Sequence, residues 1–83
     1  MLTIKILGGG CAKCKQLEAE TRAALETVNQ PLEYEIVKVT DMAEIAAYQV
    51  MATPALVMNE QVLVYGRIPK RDQIIQWALA AQN

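Results

Sequence analysis

The stretch TPALVMNEQVLVYG, Thr53 to Gly66, decides the fold. A Thr-Pro step leads into two apolar runs, ALVM (55–58) and VLVY (62–65), separated by Asn59-Glu60-Gln61 and followed by a glycine. Two β-type runs joined by so short a polar segment read as a β-hairpin with Asn59-Glu60-Gln61 at its turn. Pro54 takes away one backbone donor at a strand start, a position where a sheet tolerates the loss. Read locally, Pro54 is a trans proline that opens a strand, because only about 5–6% of X–Pro bonds in folded proteins are cis. Gly66 breaks the second strand.

Moving toward the N-terminus, Asp41 can cap a short helix over MAEIAAYQ, with Glu44 as its capping-box partner. LEYEIVKV (32–39) reads as a strand. Before it, Leu17, Thr21, Ala24, Leu25 and Val28 recur at helical spacing from about Ala12 to Asn29. Glu18 and Arg22, four apart, suit an exposed face of that helix. Asn29-Gln30-Pro31 stops it, since a residue before proline resists the α region. Residues 2–7 alternate Leu2, Ile4 and Ile6 with Thr3, Lys5 and Leu7, the pattern of a strand. Toward the C-terminus, Pro69 can open a last helix from about Lys70, with Asp72 in its first turn and Ile74, Ile75, Ala78 and Leu79 as its apolar stripe. The order is βαβ–α–ββα. Strands joined through a helix run parallel and the hairpin runs antiparallel, so the expected architecture is one α/β domain, residues 1–83, with a mixed four-stranded sheet.

Composition narrows the function classes. Hydrophobic residues make up 53% of the 83, enough for one core and too many for a disordered chain. A net charge of −1 with both signs interspersed gives no nucleic-acid footprint. No apolar run approaches the roughly 18 residues that span a bilayer, and MLTIKIL is too short for a signal h-region. The expected setting is the cytoplasm, where two cysteines rarely form a structural staple. A Cys11–Cys14 bridge also closes too small a loop to constrain the unfolded chain much.

Both cysteines lie in GGGCAKCK, Gly8 to Lys15, at the junction of the first strand and first helix. The first N–H groups of a helix lack internal partners, and the positive end of the dipole lies there. Cysteine pKa values at such sites fall from about 8.5 into the range of roughly 3.5–7.5. Cys11 is therefore the expected nucleophile. Cys14, near the first turn and deeper, is the expected resolving thiol, which attacks the Cys11 mixed disulfide and releases reduced substrate. Lys13 and Lys15 read first as solvated lysines that add positive potential. The glycines read as a tight strand-to-helix loop needing unusual dihedrals, and equally as bare backbone that lets a substrate approach Cys11. Zinc requires four ligands; with no histidine and no further cysteine, two chains would have to share their pairs. Two thiolates suffice for a soft ion such as Cu(I) or for arsenite. A thiolate carrier, and a redox-regulated adaptor, are the alternatives to a redox enzyme. Small copper-carrying domains also place CxxC after their first strand, but end in a strand and usually carry a methionine where this chain has Gly9.

Cys11-Ala12-Lys13-Cys14 at a β–α junction, Thr53-Pro54 before a hairpin, Gly66 after it and a terminal helix together resemble the thioredoxin-like superfamily. The chain is most similar to its very small, glutaredoxin-sized "redox-active disulfide" thioredoxins of bacteria and archaea, over about residues 2–80. The resemblance implies helices on both faces of the sheet and a cis Thr53–Pro54 bond packed against the Cys11–Cys14 disulfide. It also implies a thiol–disulfide oxidoreductase whose Thr53 backbone pairs with an extended substrate. Gly10, Ala12 and Lys13 join Thr53 and Pro54 as expected substrate-contacting residues. No cofactor beyond the redox-active disulfide is implied. The expected partners are protein disulfides and an upstream reductase, with no nucleic acid or membrane, for a monomeric protein. The chain departs from the family in having Gly10 where thioredoxins have tryptophan, and Ala12-Lys13 in place of Gly-Pro. Its one tryptophan, Trp77, falls in the last helix, where packing is the plain reading. Gly66-Arg67-Ile68 lacks the Gly-Gly and acid with which glutaredoxins bind glutathione. Lys5 stands near the place of the family's buried acid, which leaves Cys14 to lose its proton by another route, such as water.

Overall fold

The computed structural model describes residues 1–8, 12–28 and 32–81. The elements are β1 (Leu2–Leu7), α1 (Ala12–Glu26), β2 (Tyr34–Val39), α2 (Met42–Ala47), β3 (Ala55–Met58), β4 (Gln61–Tyr65) and α3 (Arg71–Ala81). The strands form one mixed sheet in the order β2-β1-β3-β4. β1 runs parallel to β2 and antiparallel to β3, which pairs antiparallel with β4.

Period-two alternation in β1 divides the core between the two faces of the sheet. Leu2, Ile4 and Ile6 pack with Leu56, Met58 and Val64 against Leu17, Ala24 and Leu25 of α1 and Ile74 and Ala78 of α3. Leu7 lies with Val39, Ala55 and Val57 under Ile45 of α2. Two helices thus cover one face and a short one the other. Each fully buried Leu or Ile contributes about 1.5–3 kcal/mol relative to an exposed one. Trp77 packs at the rim of the larger cluster, as the plain reading of that residue has it. A bidentate contact from Arg71 to Glu20 (3.0 and 3.2 Å) ties α3 to α1. Thr21, buried within the apolar stripe, satisfies its hydroxyl by donating to the Leu17 carbonyl at 2.8 Å.

Several boundaries differ from the sequence reading for identifiable reasons. α1 ends at Glu26, where Thr27 turns both its N–H and its hydroxyl onto the Ala24 carbonyl, at 3.2 and 2.7 Å. The expected stop at Asn29-Gln30-Pro31 lies outside the described residues. β2 begins at Tyr34 instead of Leu32. Asp41 caps α2 through Ala43 N–H (2.9 Å), and among the described residues no return bond runs from Glu44, so the cap is one-sided. α2 closes at Ala47, because Tyr48 forms its C-cap and Gln49 enters the left-handed region at φ 59°. The hairpin turn has two residues, not three. Asn59 and Glu60 take φ values of 49° and 68°, and Gln61 already pairs with Met58. A bulge follows, since Leu56 faces Val64 and Val57 faces Val62, leaving Leu63 between them.

Candidate active site

Three segments converge at Gly8. Its N–H extends the β1–β2 pairing by donating to the Val39 carbonyl at 2.9 Å. A Cβ built on Gly8 would overlap Cys14 Sγ, and would lie 3.4 Å from Cys14 Cβ and 3.8 Å from Thr53 Cβ. Its φ lies outside the left-handed region, so close approach, not an unusual dihedral, requires glycine here. Cys14, the third residue of α1, is 5% exposed, as its expected depth requires. Ala12 and Lys13 are exposed at the start of the same helix. Cys11 and Gly10 lie outside the described residues.

Thr53 is exposed, Pro54 is buried, and the bond between them is cis. The hairpin exit holds this segment in place. Gly66 N–H donates to the Pro54 carbonyl at 2.9 Å. Gly66 has φ 79°, and a Cβ there would stand 3.2 Å from Ala52 Cβ. Gly66 therefore does more than end β4: its left-handed turn presses the strand exit against residues 52–54. Alongside runs a groove of about 300 Å³ lined by Met42, Ile45, Ala46, Val50, Met51, Ala52 and Thr53. Met42 and Met51 are 76% and 82% exposed. No sequence signal singled them out, since each is an isolated methionine beside a helix or loop.

The charges near the site are sorted by the faces of the sheet. Lys5 points to the α2 face, donates to Tyr48 Oη at 2.8 Å and pairs with Glu60 at 2.7 Å. The Glu60 carboxylate, then the Tyr48 hydroxyl, raise the Lys5 pKa well above the ordinary lysine value, and Lys5 in turn holds Glu60 below the usual carboxylate range. Lys5 is thus held as a cation by Glu60 and Tyr48, on the sheet face opposite the α1 side that carries Cys14. On the α1 face, Glu18 receives Arg22 at 3.1 Å and Lys38 at 3.3 Å. Burial raises the Glu18 pKa, but hydrogen bonds from Arg22 and Lys38 outweigh it and leave the carboxyl below its ordinary value. Among the described residues no group of three or more His, Cys, Asp or Glu side chains is placed to hold a metal ion, and no helix is long and apolar enough to cross a membrane.

A buried cysteine in the first turn of a helix, close to a cis-proline segment, is suited to thiol chemistry. A family model described as a thioredoxin domain matches residues 2–79. A thioredoxin of Methanocaldococcus jannaschii is 38% identical over 74 residues, covering 89% of this chain and 83% of that protein. A thioredoxin of Methanothermobacter thermautotrophicus is 31% identical over 74 residues, covering 89% of this chain and 94% of that protein.

Proposed function

The chain belongs to the thioredoxin family, whose general activity is thiol–disulfide oxidoreduction, and we propose that it performs dithiol–disulfide exchange through Cys11 and Cys14. The Cys11 thiolate attacks one sulfur of a substrate disulfide; the substrate S–S bond breaks, its other sulfur leaves as a thiolate that takes a proton from solvent, and a Cys11–substrate mixed disulfide forms. Cys14 attacks Cys11, the Cys11–substrate bond breaks, and the pair ends as a Cys11–Cys14 disulfide. Two electrons pass to the substrate, so the cysteines themselves carry the redox chemistry without a further cofactor. The observation that carries this reading is the convergence of Cys14 and Thr53 on Gly8. A buried thiol in a helix's first turn, close to Thr53, supports docking of an extended substrate along the Thr53 edge.

Docking is assigned to Thr53 and Pro54, with Gly10, Ala12 and Lys13 on the Cys11 side. The Met42–Met51 groove next to Thr53 favours a substrate strand with an apolar residue near its disulfide. The fitting partners are protein disulfides and a protein reductase in a reducing compartment such as the cytoplasm. The test is reduction of insulin disulfides by wild type, Cys11→Ser and Cys14→Ser. Both variants are expected to lose turnover, and retention of full activity by Cys11→Ser would remove the proposal.

A further inference from the structure

Cys14, Glu18 and Lys38 share one small cavity. Cys14 and Glu18 are one helical turn apart on the same face of α1. Lys38 lies opposite Ile6 in the parallel β1–β2 register, so both project toward α1. With Gly8, Lys15 and Thr40 these residues line a cavity of about 60 Å³, well above the roughly 10–15 Å³ that one water needs. We propose that the Glu18–Lys38 ion pair sets the ionisation of Cys14, and through it the rate at which the mixed disulfide is resolved. This rests on Cys14 being the resolving thiol.

The pair is asymmetric. The Glu18 side chain is 17% exposed, whereas Lys38 is 65% and Arg22 52% exposed. Water screens the cations more than the carboxylate, so the Glu18 charge acts more strongly at the cavity and Lys38 offsets it. Among the described residues, Lys15 is the other charged group lining the cavity. The Lys5 charge is committed to Glu60 and Tyr48 on the opposite face of the sheet, and Glu20 to Arg71. An ionised Glu18 favours the Cys14 thiol over its thiolate; Lys38 does the reverse. In the resolving step the thiol gives its proton to cavity water, and its sulfur bonds to Cys11. The electron pair of the Cys11–substrate bond leaves on the substrate sulfur, which takes a proton from solvent.

Glu18 and Lys38 are positioning residues in this account, and removing either charge must move Cys14 in opposite directions. The experiment follows the ¹³Cβ shift of labelled Cys14 against pH in a Cys11→Ser background. The titration midpoint is expected to move to lower pH in Glu18→Gln and to higher pH in Lys38→Gln, each by on the order of one pH unit. Both displacements shrink in high salt. In proteins that retain Cys11, single-turnover release of substrate at neutral pH then speeds up in Glu18→Gln and slows in Lys38→Gln. Lys38 is largely exposed, so its variant folds even if Glu18→Gln proves unstable. No movement, or movement of the same sign in both, overturns the proposal. If Cys14→Ser still turns over, the parent reading fails instead. If Cys14→Ser traps the mixed disulfide while the midpoints stay fixed, only the role of the ion pair fails.

Discussion

Replacing Gly8 with alanine tests the packing on which the site is built. The new methyl would overlap Cys14 Sγ while standing 3.4 Å from Cys14 Cβ, so the conflict is with the sulfur alone. Overpacking a tight interior costs about 1–3 kcal/mol. Gly8 has no left-handed φ for alanine to resist, so the loss of unfolded-state entropy returns about 0.4–1 kcal/mol. The net cost is about 1–2 kcal/mol, or roughly 5–15 °C in Tm for a domain of this size. Urea unfolding with an unchanged m-value measures it. The diagnostic arm is a double-mutant cycle: in a Cys14→Ala background the sulfur is gone, and Gly8→Ala becomes neutral or mildly stabilising. The reasoning is refuted if Gly8→Ala costs as much without the Cys14 sulfur as with it.

Three further outcomes are expected. Met51→Asp places a charge on the rim of the groove beside Thr53 and raises KM for a peptide disulfide roughly three- to tenfold, the loss of part of one apolar contact, while reduction of a small aromatic disulfide is unchanged. Asp41→Ala removes the side-chain cap from α2 and lowers stability by about 1 kcal/mol in urea titration. Stability also depends on pH at both ends. Glu18, Glu20 and Glu60 have lowered pKa values, so their contribution is present above the ordinary 4.5 and is lost as pH falls through their lower folded values. The raised Lys5 contributes below 10.5, and that contribution is lost only as pH rises through its higher folded value. Urea midpoints across pH then show a plateau with acid and alkaline limbs, and Lys5→Met flattens the alkaline limb.

Much of the fold was legible because local signals agreed with the global arrangement. The alternation in β1, the helical stripe from Leu17 to Leu25 and the Thr53-Pro54 step before two apolar runs each pointed to the element that forms. The hairpin turn was misread because Glu60 takes a left-handed conformation that its residue type does not advertise. Its side chain is held instead by Lys5 and Tyr48, remote in sequence. Gly8 was legible as a glycine with a purpose, but its reason, the Cys14 sulfur, is a tertiary contact. Glu18 was read as a wet surface partner of Arg22. The pairing is real, but β2 brings Lys38 over the same carboxylate and half-buries it, which spacing along α1 could not show. The Met42–Met51 groove was invisible for the same reason: its walls come from α2 and the loop after it, and only folding sets them side by side.

The central claim, that Cys11 attacks and Cys14 resolves, is tested most directly by trapping. Each single-serine variant is mixed with a disulfide-bonded peptide and the adducts are read by intact mass. The account predicts a stable mixed disulfide on Cys11 in Cys14→Ser. It predicts little or none in Cys11→Ser, whose remaining thiol is 5% exposed. A stable adduct on Cys14 of Cys11→Ser, formed as fast as the one on Cys11, would contradict it.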